Sequence, residues 1–161
     1  MLKFPKKTTK TPRRKLIQKL DRVFSRWIRL RDSIDGVCTC CTCGKRGEIK
    51  KFHAGHFMGR QFYPTRWDEQ NVHAQCPYCN TFNEGEKYLY SKFLANKYGE
   101  NTPDLLVYKA KKGGKNPTFM LEILIDKYEK LLKTQNSANH QLEEPPSPVT
   151  EVDLSDPFYD E

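Results

Sequence analysis

No apolar run in this 161-residue chain reaches the length of a membrane span. No secretory apolar core follows the N-terminus, which is mostly Lys, Arg, Thr and Pro. Contact with a membrane is not expected, and a cytoplasmic location is. Lys and Arg are missing altogether from Gln135 to Glu161, a stretch that holds seven acids. Beyond two cysteine knuckles the chain has no internal repeats.

The missing tail cations expose a split that the overall charge of +8 conceals. Residues 1–134 carry 28 basic and 13 acidic residues, a net of +15. So large a charge on a small domain exceeds what solubility asks for and points to a polyanionic partner, most simply nucleic acid.

Three regions follow. Residues 1–12 form a flexible basic arm, rich in Lys, Thr and Pro. Residues 13–134 form one zinc-containing domain with flanking helices. Residues 135–161 form a disordered acidic tail whose aromatic tip, around Phe158 and Tyr159, could dock on a peptide-binding partner or cover the basic face; a solvated tail is the plain alternative.

Within the domain, Leu16, Leu20, Val23, Phe24, Trp27 and Ile28 recur at helical spacing and predict a helix over about 13–31. Its other face carries Arg14, Lys15, Lys19, Arg22, Arg26 and Arg29, which suits phosphate contact. Glu48 to Phe52 reads as a short strand broken by Gly55, and 58–75 as loop with a strand-like Val72-His73-Ala74. Asn83 and Glu86 suggest a capping box opening a helix that Gly99 stops. Thr102-Pro103 and Asn116-Pro117 open two more helices. The apolar faces at 16–28 and 117–132 are candidates for a homodimer surface or for ordinary core.

The chemistry lies in the cysteines and what they enclose. Cys40-x-x-Cys43-Gly44 and Cys76-x-x-Cys79 make a four-thiolate zinc site, which is closed and therefore structural. Cys38 and Cys41 share the spacing, but Gly44 permits the tight bend that follows a knuckle and favours Cys40 and Cys43. Between the knuckles sit His53, His56, Asn71 and His73, and Asn80 follows the second. Hydrolysis of a phosphodiester needs an activated water and charge stabilisation, which a His and a divalent metal supply. Asn80 is fixed by the zinc site. His73 is the weakest candidate, since its strand could point it into the core.

The stretches Phe24-Ser25-Arg26-Trp27-Ile28-Arg29-Leu30-Arg31-Asp32, Ala54-Gly55-His56-Phe57, Asn71-Val72-His73-Ala74-Gln75-Cys76 and Cys79-Asn80 resemble the phage recombination endonuclease family called Rap or NinG. The resemblance covers about residues 18–100. It implies an α+β fold, with a small zinc-stabilised ββα-metal core of the HNH or His-Me finger kind, surrounded by α-helices; the termini, disordered by their composition, lie outside the resemblance. It implies a nuclease that cuts branched double-stranded DNA, including Holliday junctions and D-loops, in the bacterial host cytoplasm. His56 falls on the general base, Asn71 on the residue that supports the loop and orients that base, and Asn80 on a ligand of Mg²⁺ or Mn²⁺. Gly55 stands where many HNH nucleases have the other ligand, so His53 is the expected second ligand, with Asp68 and Glu84 as alternatives. Arg60 and Arg66 are candidates to clamp the phosphate beside Arg22, Arg26 and Arg29. Two other readings compete: a zinc-stabilised DNA-binding protein without catalysis, and an HNH nickase acting on linear duplex.

Overall fold

The computed structural model describes residues 12–141, with side chains through residue 135; the basic arm up to residue 11 and the tail beyond residue 141 lie outside the described residues. The fold mixes helix and sheet, with four cysteines close together. Helix α1 (Arg13–Arg31) starts behind Pro12, whose carbonyl accepts from the Lys15 and Leu16 amides. It buries Leu16, Leu20, Phe24, Trp27 and Ile28. These meet Leu121, Ile125, Tyr128 and Leu132 of α5 (Thr118–Gln141), with Phe24 edge-on to Tyr128 at 4.9 Å. Each large apolar side chain buried here stabilises the fold by roughly 2 kcal/mol. The 16–28 face and much of the 117–132 face thus pack on each other as core, while Met120 and Ile123 of the second stay exposed. Helix α5 also runs to Gln141, past the expected start of the tail.

A hairpin of β1 (Ser33–Ile34) and β2 (Val37–Thr39) follows α1. Its two-residue turn, Asp35-Gly36, has φ of 50° and 72°, the left-handed pair of a tight hairpin turn. The first knuckle leads from β2 into β3 (Arg46–Glu48), which completes a three-stranded antiparallel sheet.

The strand expected over 48–52 is not formed. Ile49–Lys51 coil into a 3₁₀ turn, and the strand β4 is His53–His56, paired antiparallel with β5 (Val72–Gln75). Gly55 lies inside β4 rather than breaking it. Its glycine is required by a close approach: a Cβ there would sit 2.1 Å from Gln75 Oε1. Side chains alternate across this hairpin. Ala54 and Val72 pack in the α1–α5 core. Gly55, His73 and Gln75 share the other face, under α3 (Lys87–Tyr98).

Residues 57–71 cross between the strands through a short helix, α2 (Tyr63–Arg66). After β5 the second knuckle continues into a π-type turn, Tyr78–Phe82. Helix α3 starts at Lys87, later than the capping box predicts. Asn83 and Glu86 do meet, Nδ2 donating to Oε1 at 2.6 Å, but inside a turn ahead of the helix. Glu84, Gly85 and Glu86 there all have positive φ, which keeps them out of the first helical turn and leaves Glu86 as the residue just before it. Helix α4 (Thr102–Lys111) packs on α3 and α2. Among the described residues no helix is long and apolar enough to cross a membrane.

Candidate functional site

The Sγ atoms of Cys40, Cys43, Cys76 and Cys79 all lie within 4.8 Å of one another. Cys43 and Cys76 are 3.8 Å apart. Tetrahedral zinc at its usual Zn–S length sets thiolates about 3.8 Å apart, so this donor set fits the ion. The four cysteines could hold a metal such as zinc. Burial alone would raise the Cys40 thiol, but the Cys43 and Cys76 amides and the Thr42 hydroxyl bring it down to about 6. Cys38 turns away and donates to the Arg29 carbonyl at 3.3 Å. Cys41 packs beside Phe57 and Tyr90, where burial pushes its thiol up strongly. Among the described residues these four form the one group of three or more Cys, His, Asp or Glu ligand atoms near enough to share an ion.

On the α3 side of the hairpin, His53 is exposed and its Nδ1 lies 3.0 Å from Asn80 Nδ2. An octahedral Mg²⁺ sets neighbouring ligand atoms about 3.0 Å apart. Turning the Asn80 amide over would aim Oδ1 at the same point. As placed, the contact is a hydrogen bond between two side chains of the surface, and these are the two atoms that could face a cation there. Asp68 does not join them: it accepts from the Gln70 amide and pairs with Lys109. Glu84 is exposed on the strained turn.

His73, 1% exposed, is a core residue. Its Nδ1 is 3.1 Å from Asp32 Oδ2, and its Nε2 is 3.2 Å from the Tyr98 hydroxyl. Burial lowers its pKa against the pull of Asp32. Burial works against the Asp32 carboxylate too, but hydrogen bonds from His73 and Arg31 outweigh it and hold Asp32 well below the usual carboxylate range. Arg31 also donates to the carbonyls of Glu69 and Val72 at 2.9 Å. This node ties the end of α1 to β5.

On the α1 side lies His56. Its Nδ1 is 3.2 Å from the Ala54 carbonyl and its Nε2 3.0 Å from the Arg66 carbonyl. Burial, then the charge of Arg60, lowers its pKa to about 4, against the two carbonyls. At neutral pH one unprotonated nitrogen therefore faces an acceptor, an arrangement that a donor inserted between them would relieve. Asn71, fully buried, staples the crossing loop: it accepts from the Met58 amide at 2.7 Å and donates to the Met58 and Thr65 carbonyls at 2.9 Å.

The five arginines separate into two groups. Arg22, Arg26 and Arg60 are exposed, and among the described residues the guanidinium groups of Arg22 and Arg26 have no partner. Arg29 instead donates to the carbonyls of Ser25 and Phe52. Arg66 is gripped by Asp21 through two bonds of 3.0 and 2.6 Å, with Trp67 donating to the same carboxylate at 2.9 Å. As placed, Arg66 is a brace between α2 and α1, not an open clamp.

The profile of the family described as NinG, bacteriophage lambda NinG protein, matches residues 2–138. The chain belongs to the NinG family. Two relatives, each named protein ninG, come from Escherichia phage 933W and Enterobacteria phage VT2-Sa. Each is 31% identical over 94 residues, a match covering 58% of this chain and 45% of the relative. The chain thus matches less than half the length of these relatives. No solved structure matches it.

Two residues of this NinG chain bear on the site without a signal in the reading above. Lys87 donates to the carbonyls of His56, at 2.9 Å, and Phe57, clamping the end of β4. The Tyr90 hydroxyl donates to the Gly55 carbonyl at 2.9 Å. Both sit at the start of α3, where helical spacing favours Tyr88 and Leu89 as the apolar positions; in the structure those two are exposed and Tyr90 is buried.

Proposed function

We propose that this NinG chain is a metal-dependent endonuclease that cuts branched double-stranded DNA. The β4–β5 hairpin, the π-type turn and α3 follow the strand–strand–helix order of the HNH core. One observation carries the reading: Asn80, next to the second knuckle, lies 3.0 Å from His53 on a strongly basic domain, and the two would serve as a ligand pair. Mg²⁺ or Mn²⁺ bound there would supply charge stabilisation to the phosphate and the leaving oxygen.

The chain's own residues supply the rest. His56 is neutral at physiological pH; it lies on the face of β4 opposite His53 and Asn80, so to accept the proton of a water attacking beside that pair its ring would have to leave its present place. For this, the Arg66 carbonyl must yield its place at Nε2 to that water. Ala54 and Lys87 fix the ring and the strand end from either side. Asn71 holds the loop that carries Arg66. Arg22 and Arg26 offer open guanidinium groups to the backbone, and phosphate contacts of this kind position DNA without reading sequence.

The closed imidazole favours a second reading, a zinc-stabilised binding protein that does no chemistry. Cleavage of a labelled four-way junction beside its linear duplex, with and without Mg²⁺, separates the two. Wild type should cut the junction only with the metal. His56→Ala and Asn80→Ala should each lower the rate by about 10²-fold or more while binding is kept. Junction binding without cutting in either metal leaves the binding protein. Equal cutting of linear duplex leaves a general nickase.

A further inference from the structure

Two aromatic rings stand open on the turn that carries Asn80. Tyr78 is 61% exposed and Phe82 75%. Their centroids are 6.4 Å apart with the planes tilted by 32°, so they form one aromatic edge. The fold needs neither ring: neither belongs to an apolar cluster of the core. Beside Tyr78 opens a cleft of about 620 Å³, lined also by Phe52, Lys45, Arg46 and Lys51. Lys51 is paired with Glu48, while the side chains of Lys45 and Arg46 have no partner among the described residues.

Aromatic faces next to free cations suit a ligand with a flat π-face on an anionic backbone. In a continuous duplex every base is already stacked on both sides. At a branch point or in a single-stranded segment it is not, and a base face becomes available. Stacking on a protein ring tolerates any base, which matches recognition of shape rather than sequence.

We propose that Tyr78 and Phe82 stack on unpaired or unstacked bases at a DNA branch point, and that this contact makes the chain prefer branched over linear DNA. Lys45 and Arg46 hold the phosphates of the same strand. Because both rings flank Asn80, the contact would seat the branch beside the candidate ligand pair. The inference rests on the branched-DNA reading above and adds the residues that set its selectivity.

The test is binding by the zinc-loaded full chain, without added Mg²⁺ or Mn²⁺, to a four-way junction, to the same junction with abasic sites at the branch, and to linear duplex. Wild type should prefer the intact junction. Tyr78→Ala/Phe82→Ala should weaken junction binding about tenfold or more and leave duplex binding unchanged. Tyr78→Phe and Phe82→Tyr should keep the preference. Abasic sites should weaken wild type by a similar factor and the double variant hardly at all, since the lost contact is the same. Equal weakening on junction and duplex, or no change on either, overturns the stacking role. A wild type without junction preference overturns the branched-DNA reading itself. Should the double variant not retain zinc, Phe82→Ala alone, outside the Cys76–Cys79 segment, gives the same comparison.

Discussion

The two knuckles have the same Cys-x-x-Cys spacing and do different things with the residue that follows. The first ends in Gly44, whose φ of 73° turns the chain back, and its amide donates to the Cys40 carbonyl at 3.0 Å. The chain then returns into β3, so the residue after this knuckle serves the frame. The second runs on into the π-type turn, with Asn80 set against His53 and with Tyr78 and Phe82 turned outward. Thus a metal knuckle does not by itself reveal function. What matters is whether the chain after it reverses or continues.

The largest effect should come from the feature the knuckles share. Cys40→Ser and Cys79→Ser are expected to abolish metal binding and to unfold the centre of the molecule to the same extent. Zinc binding of this type contributes on the order of 10 kcal/mol or more, comparable with the whole stability of a domain. Zinc content and urea unfolding check this. A large difference between the two variants would break the symmetry of the frame.

Much of that frame was readable beforehand, for local reasons. Helix α1 follows from six apolar residues in period, and the choice of Cys40 and Cys43 over Cys38 and Cys41 follows from one glycine. The Asp35-Gly36 hairpin carries an ordinary turn signal. What stayed out of reach was long-range. Gly55 reads as a break until Gln75, twenty residues on, is seen to fill its Cβ position. Arg66 reads as a phosphate clamp until Asp21 is found beside it. The strand pattern already allows His73 to point into the core, but not that Arg31 and Asp32 enclose it there. The two helix faces, open in sequence to dimerisation or to core, pack on each other and on Ala54, Trp67 and Val72. Charge and metal spacing are properties of segments, whereas the partner of a buried polar group is a property of topology.

A medium effect should separate the hairpin from the knuckles under acid. The folded pKa of His56, lowered from 6.5 to about 4, means the unfolded chain binds the extra proton first. Its contribution is therefore complete above pH 6.5 and lost as pH falls towards 4. Relative to His56→Gln, wild type should lose about 2 kcal/mol between pH 7 and pH 5. Thiolate protonation affects both proteins alike and cancels in the difference. Parallel pH curves for the two in urea melts would show that His56 is not enclosed by Ala54 and Arg66 in solution.

The smallest effect on stability bears most directly on the comparison, because it treats the residue after each knuckle alike. Gly44→Ala meets no atom within 4 Å, yet it must hold a left-handed backbone that an L side chain resists. It should cost about 1 kcal/mol. Asn80→Ala removes one exposed hydrogen bond to His53 and leaves the backbone bond from its amide to the Cys76 carbonyl intact. It should move stability by no more than about 0.5 kcal/mol. Cleavage should invert the order, with Gly44→Ala close to wild type and Asn80→Ala inactive. Urea melts and junction cleavage on the same two preparations decide it. If Asn80→Ala proved the less stable and kept its cleavage rate, the second knuckle would be frame like the first, and the ligand pair would lose its support.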